Sequence, residues 1–228
     1  MKSTRKELYM GITLLIGFCV VLVGLFSPII NGQNPINYFD NLYNSISKGS
    51  VYYIPEMMSE NEQIENKPII ASIGFLTNSQ ADSMLQVYQE AGIKAEKQQE
   101  SIQISTSLST LLGIMLRDSD AMFKNDGQQL KATYGMDEKE VLYVWWLTLK
   151  DVKKELNSAN RFEEAKFANA VHTKAVECAF NYYEIEPYNI MDEAWFVIAS
   201  LVFYVIYTLW FGYSIMYIFT GLGLKLEH

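Results

Sequence analysis

Two long runs without charged residues, one near each end of the chain, limit the possible folds of this sequence more than any other feature. The first covers residues 9–30, YMGITLLIGFCVVLVGLFSPII, and would reach roughly 33 Å as an α-helix. The second covers residues 195–224 and would reach about 45 Å, so it has to tilt, project beyond the lipid or loosen near Gly221-Leu222-Gly223. Because the hydrocarbon core of a bilayer is about 30 Å thick, both runs are predicted to be transmembrane helices.

The first run has a second interpretation as a cleaved signal peptide. Lys2, Arg5 and Lys6 precede it in the manner of a signal-peptide n-region. The apolar run is longer than the h-region of a signal peptide, however, and no A-x-A-like cleavage site follows it. These features favour a signal anchor that stays in the membrane.

The charge around the first run predicts its orientation. The three basic residues just named lie before it, whereas Asp40 is the first charged residue after it. By the positive-inside rule, residues 1–8 are expected in the cytoplasm and residues 33–193 outside. Lys225 follows the second run, so both termini are predicted to be cytoplasmic in a protein of the cell membrane.

The extracytoplasmic region is acidic and has a single cysteine. Residues 33–193 carry 24 acidic and 14 basic side chains, a difference of −10 against −8 for the whole chain. A surface of this sign repels phosphate groups, so neither nucleic acid nor anionic lipid headgroups are expected as partners. Cys178 has no second cysteine outside the membrane runs, so this region is expected to be stabilised by a hydrophobic core and not by a disulfide.

Residues 31–67 are predicted to form a membrane-proximal helix and a loop. Asn34-Pro35 is typical of a helix start, and apolar residues then recur at helical spacing as far as Ile46. Val51 to Pro55 is predicted to be extended. Ser59 to Lys67 is polar and charged with almost no apolar anchors, which is typical of a loop.

Residues 68–126 are predicted to form an α/β unit. The predicted strands are 69–75, 93–98 and 101–105, and the predicted helices are 77–91 and 108–124. Thr77 with Gln80 makes a capping box, and Ile102-Gln103-Ile104 alternates as a strand does. This βαββα order is half of a split ferredoxin-like unit without a fourth strand. Because short apolar runs fit either class, an all-helical domain remains the alternative.

Residues 127–190 are predicted to contain a helical hairpin. Asp137 with Glu140 opens one helix and Asn160 with Glu163 opens the next, and the short connection should fold them back on each other. The predicted core residues are Leu142, Trp145, Leu149, Ala168 and Ala175. Asp192 is predicted to cap the second membrane helix. The predicted fold is therefore a two-span membrane protein whose transmembrane helices flank an α+β domain.

The sequence carries no recognisable catalytic or cofactor motif. It has no H-E-x-x-H or E-x-x-H metal face, no C-x-x-C-H, no phosphate-binding glycine loop and no G-x-S-x-G. Its natural histidine, His172, lies on an alanine stripe and is expected to be packed in the core. A non-enzymatic protein without a cofactor is therefore predicted.

Two polar or aromatic groups are weaker site candidates. Asp118, Asp120 and Asp126 are close in sequence and offer oxygen ligands, but the EF-hand spacing fails, so calcium is not favoured. Trp146 points about 100° away from core-facing Trp145 and is expected to be partly exposed. Its ring is therefore a candidate surface for a partner or a small-molecule ligand.

The membrane runs contain two rows that indicate helix association. Small residues recur at Gly17, Gly24 and Asn31 in the first run and at Ser200, Thr208 and Gly212 in the second, where they permit close packing. A second row places phenol and indole groups at membrane depth and predicts protein contact there; it contains Tyr207, Trp210 and Tyr217. The alternative is that these rows pack the two spans of one chain together.

Three functions fit this layout. The favoured hypothesis is a subunit that assembles with other membrane subunits, or with copies of itself, through its spans and extracytoplasmic domain. The second is a ligand-sensing receptor, which requires the natural chain to continue beyond Lys225. Residues 226–228 are interpreted as a remnant of a polyhistidine tag, so the chain is instead expected to stop near Lys225. The third is an oligomeric channel, which the uncharged spans favour least.

Overall fold

The structure is a computed structural model that describes residues 4–30, 32–188 and 190–224. Predictions that involve Asn31, Lys225 or residues 226–228 lie outside the described residues. The chain divides into two compact units. The terminal unit contains Met1–Gly49 and Pro187–His228, and the central domain contains Ser50–Glu186.

The described residues are mostly helical. In chain order the elements are α1 (Thr4–Phe26), α2 (Pro35–Ser50), α3 (Ile54–Gln63), β1 (Pro68–Gly74), α4 (Asn78–Glu90), β2 (Lys94–Lys97), β3 (Ser101–Ser107), α5 (Leu108–Phe123), α6 (Gly127–Tyr134), α7 (Glu138–Ser158), α8 (Phe162–Val171), a π-helical turn (His172–Val176), α9 (Glu177–Tyr182) and α10 (Ile190–Gly221). The terminal unit thus contains α1, α2 and α10, and the other elements form the central domain.

Two helices of the terminal unit are long and apolar enough to span a bilayer, over Arg5–Phe26 and Ala194–Gly221. Their existence agrees with the sequence prediction, but their bounds differ. α1 ends at Phe26 and not at residue 30, because Pro28 disfavours helical backbone at the residue before it. α10 begins at Ile190, before the apolar run itself, and the side chain of Asp192, predicted to cap this helix, lies outside the described residues.

The end of α10 follows one of the predicted alternatives. The helix stops at Gly221, and Gly223 has a φ of +75°, which is unfavourable for residues with a Cβ. The long apolar run therefore loosens at its last glycines instead of continuing as helix to residue 224.

The central domain contains the predicted βαββα unit, and the all-helical alternative is wrong. Its three strands are antiparallel in the order β1-β3-β2, with Ala71 opposite Ile104 and Ile73 opposite Ile102. Alternate residues of β1, namely Ile69, Ala71 and Ile73, are buried. β1 pairs with β3 on one side only and also contacts α7, where Gly74 N donates to Asp151 Oδ2 over 2.9 Å. α7 therefore occupies the edge beside β1.

The predicted extended segment and loop at 51–67 were partly wrong, because Ile54–Gln63 forms α3. Pro55 lies in the first turn, where its missing N–H costs no helical hydrogen bond. Ile54, Met57 and Asn61 are buried at helical spacing, and Asn61 Nδ2 donates to the Ser109 carbonyl over 2.9 Å. Because one of the three buried positions of this short helix is the polar Asn61, the apolar periodicity is too weak to be recognised in the sequence.

The predicted helical hairpin is confirmed. Its two arms are antiparallel, because Lys153 contacts Asn169 near the connection, while Glu138, at the start of the first arm, contacts Tyr183 after the second. α7 forms one arm, and α8, the π-helical turn and α9 form the other. The predicted core residues Leu142, Trp145, Leu149, Ala168 and Ala175 are all fully buried. The π-helical turn has no signature in the sequence and was not predicted.

Candidate functional site

The two membrane-length helices pack closely at two glycines that the sequence analysis did not place in a helix contact, Gly11 and Gly221. A Cβ on Gly11 would lie 2.7 Å from the Ile218 amide nitrogen, and one on Gly221 would lie 2.5 Å from that of Leu8. Real Cβ atoms essentially never come so near a backbone atom, so larger residues would force the helices apart. Gly11 and Gly221 therefore permit close packing of this intrachain helix pair.

The aromatic row of α10, predicted as a partner or ligand surface, mostly faces α1 of the same chain. Tyr207 donates to the Phe18 carbonyl over 3.3 Å, and Trp210 Nε1 donates to the Leu14 carbonyl over 3.0 Å. A Cβ on Gly17 would lie 3.0 Å from the Trp210 ring. Tyr207, Trp210 and Gly17 thus serve packing within the chain.

Tyr217 has a different position from the rest of that row. It lines an open hollow of about 460 Å³ beside Trp210 and Tyr213. Tyr217 is half-buried, whereas Tyr213 is exposed. The hollow therefore leaves part of the aromatic row uncovered.

The other small residues predicted for association are not used between α1 and α10. A Cβ on Gly24 or Gly212 would have no neighbour within 4 Å. Ser200 Oγ lies 2.5 Å from the Tyr43 hydroxyl on α2, and Thr208 Oγ1 donates to the Tyr204 carbonyl over 2.9 Å. Ser200 is therefore engaged within the terminal unit, while Thr208 and Gly212 are exposed.

Thr208 and Gly212 share one uncovered face with Tyr204. Residues four apart lie on the same side of a helix, so the three form a row, here named the open face of α10. The Tyr204 side chain is 65% exposed, and its hydroxyl has no hydrogen-bonding partner among the described residues. The open face thus combines an unpartnered phenol with two small side chains.

The three aspartates considered as metal ligands do not converge. Asp118 Oδ2 accepts hydrogen bonds from Tyr134 over 2.6 Å and from Trp145 Nε1 over 2.7 Å. Burial raises the pKa of Asp118, and these two hydrogen bonds partly oppose the rise. No three metal-ligating side chains meet within the described residues. Asp118 instead satisfies two donors of the core.

Asp120 and Asp126 lie on another side of α5 and α6. Asp120 accepts hydrogen bonds from Tyr52 and from Lys124, the latter over 2.7 Å, which raises the pKa of Lys124 to about 12. Asp126 precedes α6 without a side-chain capping bond. Both line a hollow that also contains Arg117, so basic groups already balance the charge there.

Trp146 lines an apolar groove of about 210 Å³ on the helical hairpin. The groove lies between α7 and the π-helical turn with α9, and its lining residues are Leu142, Tyr143, Trp146, Val176, Glu177, Phe180 and Asn181. The Tyr143 and Trp146 rings are nearly parallel, with centroids 6.1 Å apart. Trp146 is half-buried as predicted, and Tyr143 and Phe180 are exposed. These residues are here named the aromatic groove.

His172 supports one wall of the aromatic groove. Its ring lies 5.3 Å from the Trp146 ring, and its Nδ1 accepts a hydrogen bond from Lys153 over 2.8 Å. Burial, together with the Lys153 charge, lowers the pKa of His172 to about 4, so the imidazole is neutral at pH 7. His172 is packed as predicted, although its Nε2 has no hydrogen-bonding partner in the described part of the chain.

The π-helical turn that starts at His172 sets the position of the groove residues after it. Its wider turn shifts the register between α8 and α9; Val176 is its last residue, and Glu177 follows as the first residue of α9. Such turns within α-helices are frequent at functional sites. The sequence pattern shows an uninterrupted helix here, so this feature could be found only from the structure.

Comparison with known proteins gives no further identification. The chain matches no protein-family model, no curated protein and no solved structure.

Proposed function

We propose that this protein is a non-enzymatic two-span membrane subunit that binds partner subunits, or copies of itself, through its spans and its central domain. In this proposal both termini are cytoplasmic and residues 33–193 are extracytoplasmic. The observation that carries the proposal is the open face of α10, with its unpartnered Tyr204 hydroxyl beside Thr208 and Gly212.

The position of Tyr204 along α10 places its hydroxyl inside the hydrocarbon core of a bilayer. Tyr204 lies between three and four residues from the middle of Ala194–Gly221, or about 5 Å along the axis. The hydrocarbon core extends about 15 Å to either side of its middle, so the phenol stays within it. Lipid tails offer no hydrogen-bond acceptor, and an unsatisfied polar group in such surroundings is unfavourable. A neighbouring helix can supply the acceptor.

The residues beside Tyr204 permit such a neighbour. Thr208 and Gly212 have small side chains, and nothing in the chain lies within 4 Å of a Cβ on Gly212. Small residues allow two helix backbones to approach closely, which increases their dispersion contacts. The open face therefore suits a second membrane helix, in contrast to the α1-facing side of α10, which the chain itself covers.

A ligand-sensing protein is the second proposal, and the aromatic groove favours it. The groove is concave and mostly apolar, as small-molecule sites are, and it has polar groups at Glu177 and Asn181. It is smaller than the roughly 300–1,000 Å³ of a site for a drug-sized ligand. Subunit assembly therefore remains the function with the stronger support.

The proposal is tested by adding bulk to the open face of the full-length protein. Gly212→Leu should weaken association about fivefold, the equivalent of about 1 kcal/mol, because leucine separates the two backbones. Energy transfer between labelled copies in liposomes measures self-association. Cross-linking in native membranes measures binding to other subunits.

Ala199→Leu is the matched control. Ala199 is exposed on α10 about 140° around the helix from Gly212, so it adds similar bulk on a different face. We expect Ala199→Leu to leave both measurements unchanged. Equal association by the native protein and Gly212→Leu in both assays, or an equal loss in Ala199→Leu, would contradict the proposal.

A further inference from the structure

The aromatic groove brings three aromatic rings to one small hollow. Tyr143, Trp146 and Phe180 line it, and the exposed fractions of Tyr143 and Phe180 are 44% and 42%. The face of an aromatic ring carries partial negative charge and attracts a cation placed over it. Three such rings favour a positively charged group over a neutral apolar one.

A carboxylate at the same place adds to this preference. Glu177 is exposed and lines the groove, and it forms no ion pair with another described residue. No lysine or arginine is among the lining residues. The Glu177 charge acts on Lys153, but the Lys153 ammonium donates to Asn169 and His172. The negative charge of the groove therefore lacks a paired cation in the described chain.

The neighbouring lysines are also engaged elsewhere. Lys174 lies 5.4 Å from the centre of the Tyr53 ring, and Lys139 pairs with Glu184 over 3.1 Å. Residues 33–193 as a whole carry ten more acidic than basic side chains, 24 against 14. The field around the groove therefore attracts a cationic partner.

The size and the walls of the groove specify the kind of cation. A volume of about 210 Å³ is below the range for drug-sized ligands and suits a single side chain that projects from a larger partner. A guanidinium is flat, so it stacks on aromatic rings and can donate two parallel hydrogen bonds to a carboxylate. An ammonium offers neither the flat surface nor the forked geometry.

We propose that the aromatic groove binds an arginine side chain of a partner protein, with the guanidinium against Tyr143, Trp146 and Phe180 and paired with Glu177. This inference rests on the proposed function, because it specifies the chemistry of the partner subunit. The contact between His172 and Trp146 holds one wall in position, so the groove exists before the partner binds.

The test is a titration of the full-length protein in neutral detergent, followed by fluorine NMR after incorporation of 5-fluorotryptophan. The chain has four tryptophans, and Trp146→Phe assigns the signal of Trp146. The probe is N-acetyl-arginine amide, and the matched control is N-acetyl-citrulline amide, which keeps the shape without the charge. We expect a saturable shift of the Trp146 signal with the arginine probe and at least fivefold weaker binding of the citrulline probe.

Two variants separate the groove from general electrostatics. Glu177→Gln should weaken binding of the arginine probe about three- to fivefold. Glu96→Gln removes an exposed carboxylate from β2 with the same change in net charge and should leave the affinity unchanged. Equal effects of the two substitutions, equal binding of the citrulline probe, or no shift with either probe would each overturn the inference.

Tetramethylammonium distinguishes a small-molecule occupant from a protein side chain. Tighter binding of tetramethylammonium than of the arginine probe would overturn the inference in favour of a small quaternary ammonium ligand. The titration does not depend on association of the spans. If the arginine probe does not bind but Gly212→Leu weakens association, this inference alone is rejected. If the arginine probe binds but Gly212→Leu leaves association unchanged, the span-based proposal alone is rejected.

Discussion

Replacing Asp118 should separate two effects in the core of the central domain, the loss of a hydrogen-bond acceptor and the removal of a charge. One oxygen of Asp118 accepts from Tyr134 and Trp145, whose side chains are 3% and 0% exposed. Asp118→Ala leaves both donors unsatisfied, which costs about 1–3 kcal/mol for each donor. The free energy of unfolding should therefore fall by about 2–6 kcal/mol. For a domain of this size, that lowers Tm by about 6 °C or more.

Asp118→Asn should have a much smaller effect. The amide oxygen still accepts from both donors, and the substitution removes the carboxylate charge that burial disfavours. We therefore expect a loss of less than about 1 kcal/mol at pH 7. Asp82→Ala, which removes an exposed carboxylate paired with Lys97 over 3.4 Å, is the control and should cost no more than about 1 kcal/mol.

The pH dependence provides an independent check. Burial raises the pKa of Asp118 in the folded protein above its ordinary value of 3.8, so the folded state binds this proton more tightly than the unfolded state does. Its contribution to stability is thus greatest below pH 3.8 and falls as the pH rises through the folded pKa. The native protein should therefore gain stability relative to Asp118→Asn as the pH falls.

The measurement is denaturant and thermal unfolding of the full-length protein in neutral detergent, followed by near-ultraviolet circular dichroism of the tryptophans. Equal destabilisation by Asp118→Asn and Asp118→Ala at pH 7 would refute the argument from unsatisfied donors. A loss below about 1 kcal/mol in Asp118→Ala would refute it as well, because the two buried donors would then have other acceptors.

Two further predictions concern topology and acid stability. In a protein with Cys19→Ala and Cys178→Ala, an impermeant maleimide added to intact cells should label Ser59→Cys and not Ser3→Cys, and the opposite labelling would reverse the proposed orientation. Burial tends to raise the pKa of Glu138, but hydrogen bonds from Lys131 and Tyr183 lower this pKa from 4.5 to about 2. The stability that ionised Glu138 contributes is therefore present above pH 4.5 and is lost as the pH falls from 4.5 to 2. Glu138→Gln should flatten the loss of stability over this range in acid unfolding curves, and an unchanged slope would contradict the assignment.

Elements whose signals lie in a short stretch of chain could be predicted from the residues alone. The two apolar runs are long enough to cross a bilayer whatever surrounds them, so both helices were predicted. Thr77 accepts from the Gln80 amide over 3.2 Å, as the predicted capping box requires, whereas Gln80 accepts from the Leu76 amide, one residue before the N-cap. The helical hairpin and its buried residues followed from apolar periodicity in the same way.

Tertiary packing decided which of these surfaces are covered. Both rows of α10 contain residues suited to helix contacts, and their spacing alone does not say which row meets α1. In the structure Tyr207 and Trp210 bond to carbonyls of α1, which leaves Thr208 and Gly212 uncovered. Gly11 lies against Ile218, and Gly221 lies against Leu8. The members of each pair are about 200 positions apart in the chain and meet only when the two helices pack.

The chemistry of the central domain also depends on contacts between distant parts of the chain. Asp118 is one of two aspartates on α5, and it became a core acceptor because Tyr134 and Trp145 approach it from α6 and α7. The aromatic groove joins α7 to residues that lie thirty or more positions later, at and after a π-helical turn that has no sequence signature. Periodicity and capping are set by neighbours in the chain, whereas burial, hydrogen-bond partners and pKa are set by groups that meet only in the folded protein.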